Sequence, residues 1–325
     1  MNKISVIIVN YNGKKWLQKC LDSLLTQQYK NFEVIVVDNN SSDDSIQYIE
    51  KNYPTVIVIK SDKNLGFAGG NNLGIEKAKG EYILLLNNDT WVENSFLEKL
   101  YTFYINHDFD VVGPYQKDYH DESEFKQYLI TIDLFGHPIY ISKGIKRTGF
   151  YLSGVCVLFS KKLYAETLGL DSNFFMYFEE IDWFWRLNLL KKTFSYVDNL
   201  FVYHAGAGST GSGIKYQSFL WRNQNTLQML LKNYSRYNLF WVLPIYFLQN
   251  IVEIAFFLLI FKPKIALSYV QGWWFNIVNF GRTMQKRKWV QGNRLVSDFE
   301  ITKKMYIGLA KIDHFYQYFF KSAKI

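Results

Sequence analysis

The chain has 325 residues, 49% of them hydrophobic and 20% charged, which provides for a substantial packed core and excludes a disordered polypeptide. Its two cysteines, Cys20 and Cys156, form neither a metal-type pair nor a disulfide framework, and point to buried thiols in a reducing compartment. The net charge of +8 is uneven: from Gly206 onward 16 Lys and Arg stand against 4 Asp and Glu, whereas residues 1–205 carry 21 against 25, so the C-terminal part is expected to meet something anionic.

Met1-Asn2-Lys3 runs directly into the apolar stretch Ile4-Ser5-Val6-Ile7-Ile8-Val9, too short for a signal peptide and patterned as a strand. Nothing in it directs the chain out of the cytoplasm. Apolar, β-branched runs at 5–10, 32–38, 55–60 and 82–86 predict four strands. Between the first two, Trp16, Cys20, Leu21, Leu24 and Leu25 recur at helical spacing. Ile46, Ile49 and Tyr53 do the same after the capping stretch Ser41-Ser42-Asp43. The alternation implies βαβ units and a parallel sheet buried on both faces, with ligands bound beyond the carboxyl ends of its strands.

The four strands end in Asn10-Tyr11-Asn12-Gly13, in Asp38-Asn39-Asn40-Ser41, before Asn64-Leu65-Gly66-Phe67-Ala68-Gly69-Gly70-Asn71-Asn72, and in Asn87-Asn88-Asp89-Thr90. Such residues make turns and caps, but four polar loops on one rim also make a ligand site. A GxxxxGK[ST] loop and a GxGxxG after the first strand are both absent, which argues against P-loop NTPases and ordinary NAD enzymes. Gly69-Gly70 is expected to open a helix over 71–78, with backbone N–H groups facing an anion or simply allowing a tight turn. Further on, a β-like run over 196–203 leads to His204 and a glycine-rich loop at 206–213, flexible enough for a lid.

The C-terminal part is apolar and aromatic over 239–261, interrupted by Pro244, Gln249, Asn250 and Glu253. A second such stretch covers 265–280, followed by Arg282, Lys286, Arg287, Lys288 and Arg294 around Trp289. Aromatic belts beside Lys and Arg suit an interfacial helix pair on an anionic membrane surface, peripheral or re-entrant, the alternative being a helical appendage packed on the rest. Nucleic acid is not an expected partner, since it leaves the apolar run unexplained.

The rim loops quoted above, together with Phe175-Met176-Tyr177-Phe178-Glu179-Glu180-Ile181-Asp182 and Tyr203-His204-Ala205-Gly206-Ala207-Gly208-Ser209-Thr210, cover roughly residues 4–210 in order. In this the sequence resembles the family 2 glycosyltransferases, and most of all the bacterial branch that includes rhamnosyltransferases. The resemblance implies a GT-A fold, an α/β nucleotide-diphospho-sugar transferase domain at 1–213, with a donor half at about 1–114 and an acceptor half at about 115–213. Residues 214–325 would then form a helical, membrane-associating region.

The resemblance also implies roles. Asn87-Asn88-Asp89 stands where the family has its DXD-type motif, with Asn87 replacing the first acid. Asp89 is then the carboxylate ligand of Mg2+ or Mn2+, and His204 a second ligand. Asn10, Tyr11 and Asp38 would lie at the pyrimidine base, and Asn64, Gly69 and Asn72 near the ribose or diphosphate, with Asn87 and Asn88 beside them. Glu179-Glu180, followed by Asp182, aligns with the family's Glu-Asp pair and makes Glu180 the base for the acceptor hydroxyl. Trp183, Phe184 and Trp185 offer either a sugar-stacking wall or core packing.

The activity so implied is an inverting, metal-dependent transferase at the cytoplasmic face of the cell membrane, acting on a glycan or lipid-linked acceptor in surface-polysaccharide synthesis. dTDP-rhamnose is the favoured donor and another UDP-sugar the alternative. A sugar nucleotidyltransferase ranks lower, because the glycine-rich, Arg-containing loop of that class is missing. A non-catalytic membrane scaffold also ranks lower, given Asp89, Glu180 and His204.

Overall fold

The N-terminal apolar run forms β1 (Ile4–Asn10), in which every residue except Val9 is fully buried. The structure is a computed structural model and describes residues 3–120, 128–142, 149–206 and 215–311. In chain order β1 is followed by α1 (Lys14–Leu25), β2 (Phe32–Asp38), α2 (Ser45–Asn52), β3 (Ile57–Lys60), α3 (Gly66–Lys77), β4 (Tyr82–Leu86), β5 (Thr90–Val92), α4 (Phe96–Asn106) and β6 (Val111–Asp118). Next come β7 (Tyr128–Ile132), β8 (Pro138–Ser142), β9 (Cys156–Ser160), α5 (Lys161–Glu166), α6 (Glu179–Leu189) and β10 (Phe194–His204). The remainder is helical: α7 (Tyr216–Asn233), α8 (Arg236–Leu259), α9 (Pro263–Val278), α10 (Phe280–Asn293) and α11 (Asp298–Thr302).

Two compact units emerge. The first takes residues 1–127, 152–183 and 192–213. Its eight-stranded sheet has the order β3-β2-β1-β4-β9-β6-β10-β5. β1, β2, β3 and β4 run parallel, β9 antiparallel between β4 and β6, and β10 parallel to β6. The sheet is therefore mainly parallel, with β5 as a short antiparallel margin. Pairing of Asn10 with Asp38 at the carboxyl end of β1 and β2 sets the first two rim loops side by side. One face of the sheet is sealed by Leu17, Leu21 and Leu24 of α1 and by Phe96, Leu97 and Leu100 of α4, all buried in one core. Cys20 and Cys156 sit in that core as free, buried thiols, and burial pushes the Cys20 thiol up to about 12.

The helix expected over 71–78 begins earlier, at Gly66, so Gly69 and Gly70 lie within its opening turns instead of ahead of them. Glycine is needed along this helix for closeness. A Cβ on Gly70 would come within 2.8 Å of Val9 Cγ1, and one on Gly74 within 2.5 Å of Ile7 Cγ2. Bare backbone lets α3 settle directly on β1.

The second unit comprises residues 128–151, 184–191 and 214–325, so a boundary at residue 213 separates the units only in part. β7 and β8 form an antiparallel hairpin in which Ile132 faces Pro138. Asp133 holds its turn: Oδ1 accepts from the backbone N–H of Phe135 and of His137, each at 2.9 Å. Its other oxygen accepts from Ala310 N–H at 3.0 Å, and Asp133 bridges to Tyr306. Tyr234, after α7, donates its hydroxyl to Leu134 O at 2.8 Å and packs edge-on against Trp185. These long-range ties draw the hairpin and the later turns of α6 into the helical unit. Trp183, Phe184 and Trp185 are core, at 1%, 0% and 0% exposure, which removes the sugar-stacking alternative.

Candidate active site

The rim of the first unit is a hydrogen-bonded network of the expected polar residues. Asn10, fully buried, donates from Nδ2 to Asp38 Oδ1 and to Ser41 Oγ, both at 3.3 Å. Its Oδ1 accepts from Asn88 Nδ2 at 3.0 Å. Asp38 Oδ2 accepts from Ser41 N–H at 3.0 Å, and Ser41 Oγ accepts from Asn12 N–H at 2.9 Å. The first, second and fourth strand ends are thus one cross-linked unit. A Cβ on Gly13 would fall 2.2 Å from Asn88 Nδ2 and 2.4 Å from Asn10 Oδ1, so only glycine fits beside this network. Asn12 and Asn40 have φ of 51° and 62°, the left-handed region that Asn tolerates best after Gly. Tyr11 is exposed at the edge of the network.

The third loop splits by role. Asn64 Oδ1 accepts from Gly66 N–H at 2.9 Å and shapes the entry to α3. Gly69 lies at the α3 surface, half-buried. Asn72 is committed internally: Nδ2 donates to Leu170 O at 2.9 Å and Oδ1 accepts from the Tyr164 hydroxyl. That makes Asn72 a tie from α3 to α5 and the segment just after it.

Asp89 and His204 lie 115 positions apart in sequence and meet at the rim. Pairing of β10 with β5 sets His204 opposite Thr90, so His204 Nε2 stands 3.3 Å from Asp89 Oδ1. Ala205 N–H donates to Asp89 O at 3.1 Å and fixes the backbone of the pair. A carboxylate oxygen and an imidazole nitrogen suit a borderline divalent cation such as Mn2+. Their spacing is close to the roughly 3 Å that adjacent ligands, each ~2.1 Å from one ion, would show. Among the described residues no group of three His, Cys, Asp or Glu is arranged around a metal position. Asn87, half-buried, adjoins this pair through its backbone, with its O accepting from Thr90 Oγ1 at 2.6 Å.

Glu179, Glu180 and Asp182 occupy the first turn of α6, where the helix dipole favours acids. They differ in depth: Glu179 and Asp182 are buried and Glu180 is half-buried. One oxygen of each glutamate, Oε2, is enclosed without a hydrogen-bond partner. Burial pushes the Glu179 carboxyl well above the usual range, and the neighbouring Glu180 charge adds to it. Burial raises Glu180 as well, partly offset by backbone N–H groups at the helix start. A Cβ on Gly154 would lie 3.3 Å from Glu180 Cβ, so Gly154 leaves room for this side chain.

Sequence reasoning missed how the glutamates are held. Tyr177 and Phe178, immediately before α6, have φ of 72° and 70°, a sparsely populated conformation for aromatic residues. The turn is clamped to α3, because Phe67 N–H donates to Phe175 O at 2.7 Å and Gly66, with φ 71°, lies against that carbonyl. No local pattern announces two left-handed aromatic residues in succession. The lid expected at 206–213 lies outside the described residues from 207 onward, as do 121–127 and 143–148 of the expected acceptor half.

The family model described as "Glycosyl transferase family 2" matches residues 5–168, the stretch that carries the rim network and Asp89. The chain belongs to glycosyl transferase family 2. Among curated relatives of this family 2 chain, "Glycosyltransferase GlyA" of Streptococcus pneumoniae serotype 4 is 33% identical over 133 residues, covering 40% of this chain but only 19% of GlyA. The "UDP-Glc:alpha-D-GlcNAc-diphosphoundecaprenol beta-1,3-glucosyltransferase WfaP" of Escherichia coli is 27% identical over 237 residues, 71% of this chain and 87% of WfaP. Residues 1–349 of S. aureus TarS in complex with UDP-GlcNAc superpose with a TM-score of 0.52 at 21% identity, covering 71% of this chain and 67% of that one. At that identity the likeness is one of fold, and it agrees with the GT-A-like α/β architecture expected from sequence.

Proposed function

We propose that this family 2 chain is an inverting glycosyltransferase that moves a hexosyl group from a UDP-sugar to a glycan or lipid-linked acceptor. The observation that carries the reading is the convergence of Asp89 and His204 at 3.3 Å, on the rim where Asn10, Asp38 and Asn88 are already linked. UDP-sugars are favoured over dTDP-rhamnose because WfaP is named for UDP-Glc and TarS was crystallised with UDP-GlcNAc. WfaP's diphosphoundecaprenol acceptor supports a lipid-linked acceptor here.

Asp89 and His204 would hold a divalent cation, Mg2+ or Mn2+, which when bound supplies positive charge beside a departing diphosphate. Asn10 and Asp38, locked by each other and by Ser41, present a rigid polar edge to the nucleobase. Tyr11 offers an exposed ring at the same edge. Glu180, the less buried of the two glutamates, accepts the proton of the acceptor hydroxyl. In the same displacement that oxygen bonds to the anomeric carbon, the donor's C–O bond breaks, and the nucleoside diphosphate leaves with the electron pair. One displacement inverts the anomeric centre. Glu179 and Asp182, buried behind, position the helix start and do not meet substrate.

A screen of UDP- and dTDP-sugars for turnover with Mg2+ or Mn2+ tests the assignment. Turnover is expected with a UDP-hexose or UDP-N-acetylhexosamine, and to fall at least a hundredfold in Asp89→Ala and in His204→Ala. Full activity in Asp89→Ala, or exclusive use of dTDP-rhamnose, refutes the metal or the donor reading respectively.

A further inference from the structure

α8 is built the wrong way round for a helix facing water. Its exposed side carries Tyr237, Phe240, Leu248, Ile251, Val252 and Leu259, with Tyr237 and Phe240 at 89% and 86% exposure. In its C-terminal half the polar residues turn inward: Asn250 is fully buried, Gln249 is half-buried, and Glu253 is paired to Lys311 Nζ at 2.5 Å. A solvated amphipathic helix shows the opposite arrangement. α9 repeats it, exposing Leu267, Val270, Trp274, Ile277 and Val278. These two adjoining helices give an apolar surface far beyond what scattered surface residues produce.

The surroundings of this surface are cationic. Arg236 opens α8, Lys262 and Lys264 flank the α8–α9 turn, and Arg282 and Lys288 stand exposed on α10. From Arg236 to Arg294 the only acid is Glu253, already paired. Apolar residues bordered by Lys and Arg complement a layer of acyl chains beneath anionic headgroups.

Length alone would let α8 cross a bilayer, since 24 residues give about 36 Å. Its neighbours oppose this. α9 is fastened by its inner face to the polar helix α7: Asn223 Nδ2 donates to Ser268 Oγ at 3.2 Å, Asn276 Nδ2 donates to Gln224 O at 3.0 Å, and a Cβ on Gly272 would meet Asn223 Cβ at 2.9 Å. Carrying α8 and α9 through the hydrocarbon would take Arg222 and the amides of α7 with them. The hairpin tip, with exposed Lys262 and Lys264, is equally unsuited to the bilayer interior. We propose that α8 and α9 form a docking surface for an anionic membrane, lying in the plane of one leaflet with their exposed apolar faces inserted.

The full chain, incubated with vesicles of phosphatidylcholine alone or mixed with phosphatidylglycerol, tests this. It is expected to co-sediment with the anionic vesicles, to bind the neutral ones more weakly, and to be released progressively by salt. Removing one rim cation, as in Lys264→Ala, should weaken binding about fivefold without touching the fold. Leu248→Glu and Trp274→Glu should abolish it with unchanged circular dichroism. In-plane seating is read separately from Lys262→Cys, because both native thiols are buried and give little background. The new thiol should stay fully reactive toward a membrane-impermeant maleimide added on the protein's side. Loss of that labelling on binding means that the hairpin crosses the bilayer, and overturns in-plane seating. A chain that ignores anionic vesicles overturns docking itself, whether it forms a dimer that Leu248→Glu dissociates or stays monomeric.

Discussion

Two adjacent glutamates at the head of α6 divide one chemistry by depth. Burial holds Glu179 above the usual carboxylate range, so the native protein binds that proton more tightly than the unfolded chain does. Stability therefore falls as pH rises from the unfolded carboxylate value, about 4.3, through the raised native one, and the penalty vanishes only below the unfolded value. Glu179→Gln is expected to raise the Tm at neutral pH and to leave it unchanged in acid, a contrast that calorimetry at two pH values will read. Glu180→Gln should instead lower kcat by roughly 10²–10⁴ with donor KM retained, the signature of a lost base. Because Glu180 is also raised, kcat of the unmodified enzyme should fall with acidification at a pH above the ordinary glutamate range. The Asp89–His204 contact was legible from motif resemblance, but the commitment of Asn72 to Leu170 and Tyr164 was not, since an amide reads the same in sequence whether it faces a ligand or its own fold.

At the scale of elements, β2 and β4 were legible to the residue because β-branched and aliphatic runs bounded by Asn and Asp have one plausible conformation. α3 was misread at its start. Gly66-Phe67-Ala68-Gly69-Gly70 has the composition of a loop, yet there glycine serves a left-handed entry at residue 66 and close contact with β1 at residue 70. Gly66→Ala combines left-handed strain with a Cβ only 2.0 Å from Phe175 O. It should cost more than about 1 kcal/mol in denaturant unfolding. The same substitution disturbs the Phe67–Phe175 clamp ahead of α6, so kcat should drop even in molecules that remain folded. The indole of Trp183 is a second anchor, donating to Thr167 Oγ1 at 2.8 Å inside the core. Trp183→Phe leaves that hydroxyl without its donor and is expected to destabilise by about 1–3 kcal/mol, measurable by the same unfolding curve.

Across the whole molecule, charge asymmetry was legible and chain partition was not. The hairpin of β7 and β8 joins the C-terminal helices through pairings such as Asp133 with Ala310, contacts over 177 positions that no local pattern encodes. Ligand binding should respect this partition. With UDP and Mn2+, hydrogen exchange is expected to slow mainly in residues 1–127, 152–183 and 192–213, the unit that holds the rim, and far less in the helical unit. Equal protection of both units would count against a donor site confined to the first.

The eight-stranded sheet ends in margins of only four and three residues, β3 and β5. Each of these two strands offers another chain only three or four residues to zip onto, which disfavours lateral growth into fibrils through β3 or β5 themselves. Precipitation of the purified protein at high concentration should thus respond to mild detergent, which screens oily helix faces, and hardly at all to agents that block β-strand addition.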